Sequence, residues 1–278
     1  MKFSDLIKAV KPLSADHKGA RESTDPEIKS VHYRAQDVEP NGLFVAIAGH
    51  AADGHDYIDD AIKKGAVAVV SQKELRSEIP HIQVTDTRQT LADIAAWFYG
   101  RPSQRLTVIG ITGTNGKTTT AYLVESILLQ AGCSVGVIGT INYRYTGKLF
   151  DNPITTPESR DLQRILADKL RAGVSHVVME ASSHAIDLYR IRSCWLDVAV
   201  FINLSQDHLD FHGNMQSYWA SKKRLFSDYL LAGPKKDQAV AVINCNSSHG
   251  QELANSLQVP AIKVGSGPGD TFRTASIR

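Results

Sequence analysis

A predicted phosphate-binding loop at residues 109–120 limits what this chain can fold into more than any other feature. The apolar run 106–111 is typical of a buried strand, a turn rich in glycine and asparagine follows, and residues 121–129 have the apolar spacing of a helix. In a strand–loop–helix unit of this kind, backbone N–H groups and the helix N-terminus attract phosphate oxygens. The usual pattern has a glycine where Ile111 stands, so the alternative is a glycine turn that merely precedes a lysine and three threonines.

Two side chains of this loop have the chemistry that a magnesium nucleotide requires. Lys117 can reach the outer phosphates, and the hydroxyl of Thr118 can bind magnesium. The candidate nucleotide-binding residues are Gly113, Thr114, Asn115, Gly116, Lys117, Thr118 and Thr119.

Length and composition describe an ordinary globular protein. The 278 residues leave room for two domains, and a hydrophobic content of 42% with a net charge of +2 indicates no strong attraction for nucleic acid or membranes. The cysteines, Cys133, Cys194 and Cys245, form no C-x-x-C pair, so neither a disulfide framework nor a zinc site is suggested. The N-terminus lacks a signal-peptide core and no apolar run reaches the ~18 residues of a membrane span, so we expect a cytoplasmic protein.

The alternation of predicted strands and helices divides the chain into residues 1–103 and residues 104–278, with a hinge-like Gly-Arg-Pro-Ser stretch at the boundary. In the first unit we predict helices over 3–10, 57–64 and 90–99, and strands over 42–47, 67–70 and 82–84. In the second we predict strands over 106–111, 135–140, 174–179 and 198–202, and helices over 121–129, 158–172 and 215–231. This alternation indicates an α/β fold in which a mainly parallel sheet is covered on both faces.

Two further expectations concern a loop and a helix cap. Residues 49–55 follow a predicted strand, and their small side chains would let a ligand approach the backbone. His50 and His55 in that loop are either ligand contacts or polar loop residues. At the start of the helix 158–172, a threonine before Pro157 is expected to form the N-cap.

Three predicted strands of the second unit end in polar clusters. The clusters are Lys117 with Thr118, then Glu180, then Asp207 with His208. Because the carboxyl ends of parallel strands lie along one edge of a sheet, a magnesium-nucleotide site at this edge requires no coincidence.

Simpler interpretations exist for three of these charged residues. Glu180 could take part in a helix cap made with the two serines that follow it, and His208 could be a hydrogen-bonded loop residue. Lys222 stands beside Lys223 and Arg224, and by charge alone this group predicts a solvated basic face of a helix.

Five motifs in order along the chain resemble those of the Mur ligases, and within that family the MurE type. They are Gly-His-Ala-Ala-Asp-Gly at 49–54, Thr-Gly-Thr-Asn-Gly-Lys-Thr-Thr at 112–119, Thr-Thr-Pro at 155–157, Met-Glu-Ala-Ser-Ser-His at 179–184, and the stretch 203–213 that contains Asp-His-Leu-Asp-Phe-His-Gly. The resemblance extends over nearly the whole chain. It implies an N-terminal α/β domain that binds a UDP precursor, followed by an ATP-binding domain with a phosphate-binding loop.

The resemblance implies an ATP-dependent ligase of peptidoglycan synthesis. Such enzymes join an amino acid, diaminopimelate or lysine for this type, to UDP-N-acetylmuramoyl-L-alanyl-D-glutamate. A carboxylate is a poor electrophile, so ATP first converts it to an acyl phosphate, which the incoming amine then attacks. We expect ATP and Mg²⁺ as cofactors, no nucleic-acid or membrane partner, and a monomer.

The resemblance also implies roles for individual residues. Residues 113–119 would hold ATP, with Lys117 on the transferred phosphate. Thr118 and Glu180 would hold one magnesium ion, and His208 would help to hold a second. Lys222 occupies the position of the family's carbamylated lysine, where carbon dioxide turns a cation into an anionic ligand for magnesium.

The precursor-binding positions are also carried over by motif, with two departures, one of which is Leu188, where some members have a glutamine contact. They are Thr155, Thr156, Ser182 and Arg190 for the muramoyl peptide, and His50, Ala51 and Ala52 for the uridine side. Where the MurE type has Asp-Ser-Arg near the uracil, this chain has Arg34, Ala35 and Gln36, so we expect a different detail of uridine recognition.

Family members carry a third domain that brings the acceptor amino acid, and the sequence ends at Arg278 before such a domain. We therefore expect the 278-residue chain to bind nucleotide or precursor without completing ligation. Two alternatives remain open: a non-catalytic module that binds a UDP-muramoyl peptide, and another amide ligase such as a folylpolyglutamate synthetase.

Overall fold

The structure is a computed structural model that describes residues 1–10, 14–16, 25–49, 52–75 and 79–273. The chain divides into two compact units, Met1–Gly100 and Arg101–Arg278. No helix among the described residues is long and apolar enough to cross a membrane.

The first unit contains a five-stranded sheet among its described residues. Its strands are β1 (Ser14–Asp16), β2 (Ser30–His32), β3 (Gly42–Val45), β4 (Ala66–Ser71) and β5 (His81–Gln83), and its helices are α1 (Phe3–Ala9), α2 (Ile58–Lys63) and α3 (Thr87–Phe98). The spatial order is β1-β5-β4-β3-β2, and β1 alone runs antiparallel to its neighbour.

Strand β3 explains why helices cover this sheet on both faces. Alternate side chains of an extended strand point to opposite faces, and every residue of β3 is buried. Leu43 and Val45 pack in the cluster that contains residues of α1 and α3, whereas Phe44 packs in the cluster that contains residues of α2. Helix α3 begins three residues earlier than predicted because the Asp86 carboxylate caps it.

The second unit contains a nine-stranded sheet among its described residues. Its strands are β6 (Thr107–Thr112), β7 (Val135–Ile138), β8 (Asn142–Tyr145), β9 (Lys148–Asp151), β10 (His176–Glu180), β11 (Val198–Phe201), β12 (Val240–Asn244), β13 (Ala261–Gly265) and β14 (Phe272–Arg273). The order is β14-β13-β12-β11-β6-β10-β7-β8-β9, and all pairs are parallel except β7 with β8 and β8 with β9. The predicted α/β class with mainly parallel sheets is confirmed.

The helices of this unit connect the strands of the sheet. They are α4 (Lys117–Gln130), α5 (Ser159–Arg171), α6 (Ser183–Asp187), α7 (Leu209–His212), α8 (Met215–Arg224) and α9 (Ser248–Ser256). Helix α8 does not run on as a single α-helix to residue 231 as predicted, because a π-helical turn, Leu225–Leu230, follows it.

The predicted threonine cap of α5 is wrong. Glu158 is the N-cap, and its own side chain accepts a hydrogen bond from the backbone N–H of Ser159. The hydroxyl of Thr156 instead donates to the carbonyl oxygen of Glu180, 2.8 Å away, and so joins the segment before α5 to the end of β10. A threonine suited to capping a helix was present, but its hydroxyl makes a tertiary hydrogen bond instead.

The register of the central strands brings the predicted polar clusters together. Strand β6 pairs on one side with β10 and on the other with β11. Glu180 lies opposite Ile111, and Phe201 lies opposite Thr112. The residues that follow these three strand ends therefore share one edge of the sheet.

Candidate functional site

The loop after β6 is braced by Asn203, which follows β11. The side-chain oxygen of Asn203 accepts hydrogen bonds from the backbone N–H groups of Thr114 and Asn115, both at 3.0 Å, and its amide nitrogen donates to the carbonyl of Asn115. Gly116 has φ = +84°, a left-handed conformation that favours glycine, directly before α4. The Asn203 side chain thus fixes the shape of the loop. In the sequence, Asn203 stood out only as the first residue of the longer motif at 203–213.

Lys117 begins α4 and folds back over this loop. Its ammonium group donates to the carbonyl oxygens of Gly113 and Thr114, each 2.9 Å away. Burial lowers the pKa of Lys117, and the negative charges of Glu180 and Asp207 partly offset that effect. The ammonium group of Lys117 is thus held against the carbonyl side of its own loop.

Glu180, the last residue of β10, is only 1% exposed and accepts three hydrogen bonds from uncharged groups. The hydroxyl of Thr118 donates to Oε2 at 3.0 Å. Thr140 donates twice, from its hydroxyl to Oε2 at 2.9 Å and from its backbone N–H to Oε1 at 3.0 Å. The interpretation of Glu180 as part of a helix cap is wrong, because the hydroxyl of Ser182 caps α6.

Sequence reasoning missed Thr140 as a site residue. It follows β7, a neighbour of β10 in the sheet, and the preceding glycine leaves room for the carboxylate. A Cβ atom on Gly139 would lie 2.3 Å from Oε1 of Glu180. The signal was available in the Gly-Thr pair at the end of a predicted strand, which is where ligand-binding side chains of parallel sheets collect.

Lys222 is buried, so the solvated basic face that charge alone predicted for it is wrong. The residue is 1% exposed, and its ammonium group donates to the carbonyl oxygen of Gly113 at 2.9 Å and lies 4.4 Å from the centre of the Tyr218 ring. Burial, followed by the positive charge of Lys117, lowers the pKa of Lys222 to about 7. Both lysines therefore share one carbonyl oxygen beneath the phosphate-binding loop.

His208 lies at the rim of the same region and is half-exposed. It has φ = +53° and precedes α7, with Nε2 3.5 Å from a carboxylate oxygen of Asp207. Its ring packs edge-on against that of His184, with centroids 4.9 Å apart. Burial lowers the pKa of His184 and so favours its neutral form. The contact therefore does not bring two positively charged rings together.

Behind these rings lies a serine–histidine–aspartate arrangement. Nε2 of His212 is 2.9 Å from the hydroxyl oxygen of Ser183, and Nδ1 is 3.3 Å from a carboxylate oxygen of Asp187. Ser183 is 1% exposed, so a substrate has no access to its hydroxyl. The arrangement fastens α6 to α7 and thereby supports His184 and His208.

A cavity of about 590 Å³ lies over this sheet edge. Its lining residues are Thr114, Asn115, Gly116, Lys117, Thr118, Thr140, Pro153, Ile154, Thr155, Glu180, Ser182, His184, Arg190 and His208. Of the other predicted site residues in this unit, Gly113, Thr156 and Lys222 are buried, whereas Thr119 is exposed on α4. Arg190 reaches the cavity while its guanidinium donates to the carbonyl of Thr156 at 3.3 Å and lies 3.6 Å from Glu158.

The first unit has a cavity of its own, of about 300 Å³. Ala52 lines it. So do Arg34, Ala35 and Gln36, the three residues at which the sequence differs from the motif that it resembles. His50 and Ala51, which were predicted as ligand contacts, lie outside the described residues.

His55 is a loop residue that holds its segment together. Its Nδ1 is 2.5 Å from a carboxylate oxygen of Asp53, and its Nε2 accepts a hydrogen bond from the backbone N–H of Gln72 at 3.0 Å. Because a ring nitrogen that accepts carries no proton, the proton lies on Nδ1 and is shared with Asp53. This geometry supports the interpretation of His55 as a polar loop residue.

Comparison with known families gives two matches. The model of the Mur ligase middle domain matches residues 111–278, and the model described as the Mur ligase family, catalytic domain, matches residues 27–99.

Curated relatives are similar over almost all of this chain. The UDP-N-acetylmuramoyl-L-alanyl-D-glutamate–2,6-diaminopimelate ligase of Geobacter sulfurreducens is 44% identical over 267 residues, which are 95% of this chain and 52% of that protein. The ligase of the same name from Halalkalibacterium halodurans is 38% identical over 278 residues, 100% of this chain and 56% of that protein. The chain spans about half the length of the curated relatives it matches.

Solved structures also match this chain over about half of their own length. A structure of a ligase with that name is 25% identical, with a TM-score of 0.76 over 95% of this chain and 52% of the other. The MurF ligase of Thermotoga maritima in complex with ADP is also 25% identical, with a TM-score of 0.60 over 88% of this chain and 52% of the other.

Proposed function

The chain belongs to the Mur ligase family, and on that basis we propose that it forms the nucleotide- and precursor-binding part of an ATP-dependent amide ligase. The proposed reaction adds diaminopimelate or lysine to UDP-N-acetylmuramoyl-L-alanyl-D-glutamate in peptidoglycan synthesis. The observation that carries the proposal is the convergence of Lys117, Glu180 and Lys222 at the ends of neighbouring parallel strands.

The reaction requires two negatively charged groups to approach each other. A carboxylate oxygen of the precursor attacks the γ-phosphorus of ATP, the bond from that phosphorus to the β–γ bridging oxygen breaks, and ADP leaves. The neutral amine of the incoming amino acid then attacks the carbonyl carbon of the acyl phosphate, phosphate leaves, and the nitrogen loses a proton to give the amide. Lys117 supplies positive charge where the transferred phosphoryl group carries its negative charge, and the loop 113–119 holds the other phosphates through backbone N–H groups other than those of Thr114 and Asn115, which donate to Asn203.

The oxygen atoms of Thr118 and Glu180 fit a magnesium ion. Mg²⁺ prefers oxygen ligands, and proteins commonly hold it with one or two side chains while nucleotide phosphates and water supply the rest. Among the described residues no cluster of three His, Cys, Asp or Glu side chains is arranged to hold a metal ion. We assign Thr118 and Glu180 to one magnesium on this chemistry, and we assign His208 to a second on the resemblance of its motif alone. Bound magnesium would neutralise phosphate charge during transfer.

The buried position of Lys222 supports its assignment as a carbamate. A neutral amine attacks carbon dioxide to form an N–C bond and releases a proton, which leaves an anionic carbamate. With a pKa of about 7, Lys222 has a substantial neutral fraction at physiological pH, whereas an ordinary lysine has almost none. The carbamate would then offer oxygen ligands for magnesium beside Lys117.

The precursor is assigned to cavities in both units. In the second unit Thr155, Ser182 and Arg190 line the cavity, and Thr156 supports its wall from a buried position. In the first unit the cavity lined by Ala52 would take the uridine, with Arg34, Ala35 and Gln36 in place of the usual Asp-Ser-Arg.

Titration calorimetry with the purified chain tests the proposed substrate. We expect UDP-N-acetylmuramoyl-L-alanyl-D-glutamate to bind and dihydropteroate not to bind. Arg190→Met should weaken precursor binding by at least about tenfold, because a hydrogen bond to a charged group is lost. Arg171→Met removes a guanidinium that is 73% exposed at the end of α5 and should change the affinity less than about twofold.

Two outcomes would count against the proposal. Binding of dihydropteroate in place of the UDP precursor would favour a folylpolyglutamate-type ligase. Precursor binding without any nucleotide binding would favour a non-catalytic module.

A further inference from the structure

Thr140 lies between the carboxylate of Glu180 and the hydroxyl of Thr155. Its Oγ1 is 2.9 Å from Oε2 of Glu180 and 3.1 Å from Oγ1 of Thr155. A threonine hydroxyl carries one proton, so Thr140 donates to only one of these two oxygens at a time. Thr140 is placed as the donor in both contacts, so the two oxygen atoms compete for its one proton.

The stronger acceptor receives this proton. A carboxylate accepts more strongly than a neutral hydroxyl, so Thr140 donates to Glu180 and the hydroxyl of Thr155 is left without that hydrogen bond. In this arrangement Thr140 does not fix the orientation of the Thr155 hydroxyl, which lines the cavity.

A cation at Glu180 changes that preference. When the positive charge of a magnesium nucleotide engages the carboxylate, Oε2 becomes a weaker acceptor for Thr140. The hydroxyl of Thr140 can then turn and donate to Thr155, which holds the Thr155 hydroxyl with its own proton directed to an oxygen atom in the cavity. The precursor is rich in such acceptors, with carboxylate and carbonyl oxygens.

Hydrogen bonds from Asn152 link the two backbone segments that carry these hydroxyl groups. The amide of Asn152 donates to the carbonyl oxygens of Gly139 at 2.8 Å and of Thr155 at 3.4 Å, which ties the two segments together. The backbone N–H of Thr140 holds Oε1 of Glu180 whichever way the hydroxyl points.

We propose that Thr140 is a positioning residue that couples magnesium-nucleotide binding at Thr118 and Glu180 to precursor binding at Thr155. The coupling is positive: each ligand raises the affinity for the other, and by the same factor in both directions. Because one hydrogen bond is at stake, the factor is about threefold to tenfold. This inference rests on the proposed function, since it needs both ligands to bind the same chain.

The experiment measures precursor affinity by titration calorimetry with and without saturating Mg²⁺ and AMP-PNP, a nucleotide that does not transfer its phosphoryl group. For the wild-type chain, we expect the nucleotide to raise the affinity for UDP-N-acetylmuramoyl-L-alanyl-D-glutamate. Thr140→Val keeps the shape and the backbone N–H but lacks the hydroxyl, and it should lower this ratio by about threefold to tenfold. Thr140→Ser restores the hydroxyl and should restore the ratio.

A double-mutant cycle adds the matched control. Thr155→Val should lower the ratio as much as Thr140→Val does, and the double variant should lower it no further, because both remove the same connection. Equal ratios in wild type and Thr140→Val, or additive losses in the double variant, would overturn the inference while leaving the proposed function intact. Failure of the wild-type chain to bind one of the two ligands would instead contradict the proposed function, and the inference with it.

Discussion

The side-chain amine of Lys222 is almost completely shielded from water. Its ammonium group donates a hydrogen bond to a carbonyl oxygen that Lys117 also uses, so the site holds two positive charges close together under one loop. Taking a charged amine out of water is costly, and a neighbouring cation adds to that cost. Both effects favour a neutral amine, which is the form that reacts with carbon dioxide.

Carbamate formation at Lys222 should be observable by ¹³C NMR of the chain in ¹³C-labelled bicarbonate. Because the amine is neutral above its pKa of about 7, we expect the carbamate signal to grow between pH 6 and pH 8 at constant dissolved carbon dioxide. Lys222→Met should lack the signal, whereas Lys223→Met should keep it. A signal that persists in Lys222→Met would show that another amine carries the carbamate.

The sequence could not reveal the burial of Lys222 by charge pattern, because three basic residues in a row have no apolar spacing. The order of family motifs did single it out. Thr140 was missed for a related reason: its role depends on hydrogen bonds to Glu180 and Thr155, residues far from it in sequence. Side-chain partners across a sheet follow from register, and register does not follow from local pattern.

At the scale of elements, the apolar strands around the phosphate-binding loop were predicted, whereas the exposed edge strands and the partly buried strand β12 were not. Strands β6, β7, β10 and β11 are short apolar runs, as expected for parallel strands covered on both faces. Strands β8 and β9 form an antiparallel hairpin at the edge of the sheet. Their residues are half-buried or exposed, and the sequence pattern there predicted only a polar segment without a strand. The polar residues at the strand ends were therefore predictable, because they directly follow the apolar strands.

The junction between β7 and β10 provides a direct test of Glu180. Gly139→Ala would place a Cβ atom 2.3 Å from Oε1 of Glu180, so the carboxylate has to move. We expect nucleotide binding in the presence of magnesium to weaken by about tenfold or more, because a hydrogen bond to a charged group is at stake. Calorimetric titration with Mg²⁺ and ADP measures this change.

The control for this variant is Gly269→Ala, where an added Cβ atom meets nothing within 4 Å. It should bind nucleotide as the wild type does. Equal binding by Gly139→Ala and Gly269→Ala would mean that the position of Glu180 is unimportant for the nucleotide, contrary to its assignment.

At the scale of the whole molecule, two compact units carry the motifs of one family. The alternation of elements predicted the α/β class of both, and parallel pairing then explains why residues far apart in sequence meet at the end of β6. Three features followed only from the three-dimensional structure: the hydrogen bonds within the loop, the burial of Lys222 and the position of Thr140. The central claim is that this edge of the second unit binds a magnesium nucleotide through the loop 113–119.

Nucleotide binding by the purified chain tests that claim most directly. Titration calorimetry with ADP in the presence and absence of Mg²⁺ would compare wild type, Lys117→Met and Lys148→Met, the last a change on an exposed strand. We predict magnesium-dependent binding by wild type and Lys148→Met, and at least about tenfold weaker binding by Lys117→Met, because its ammonium group no longer meets the phosphates. No binding by the wild type, or equal binding by all three proteins, would contradict the claim.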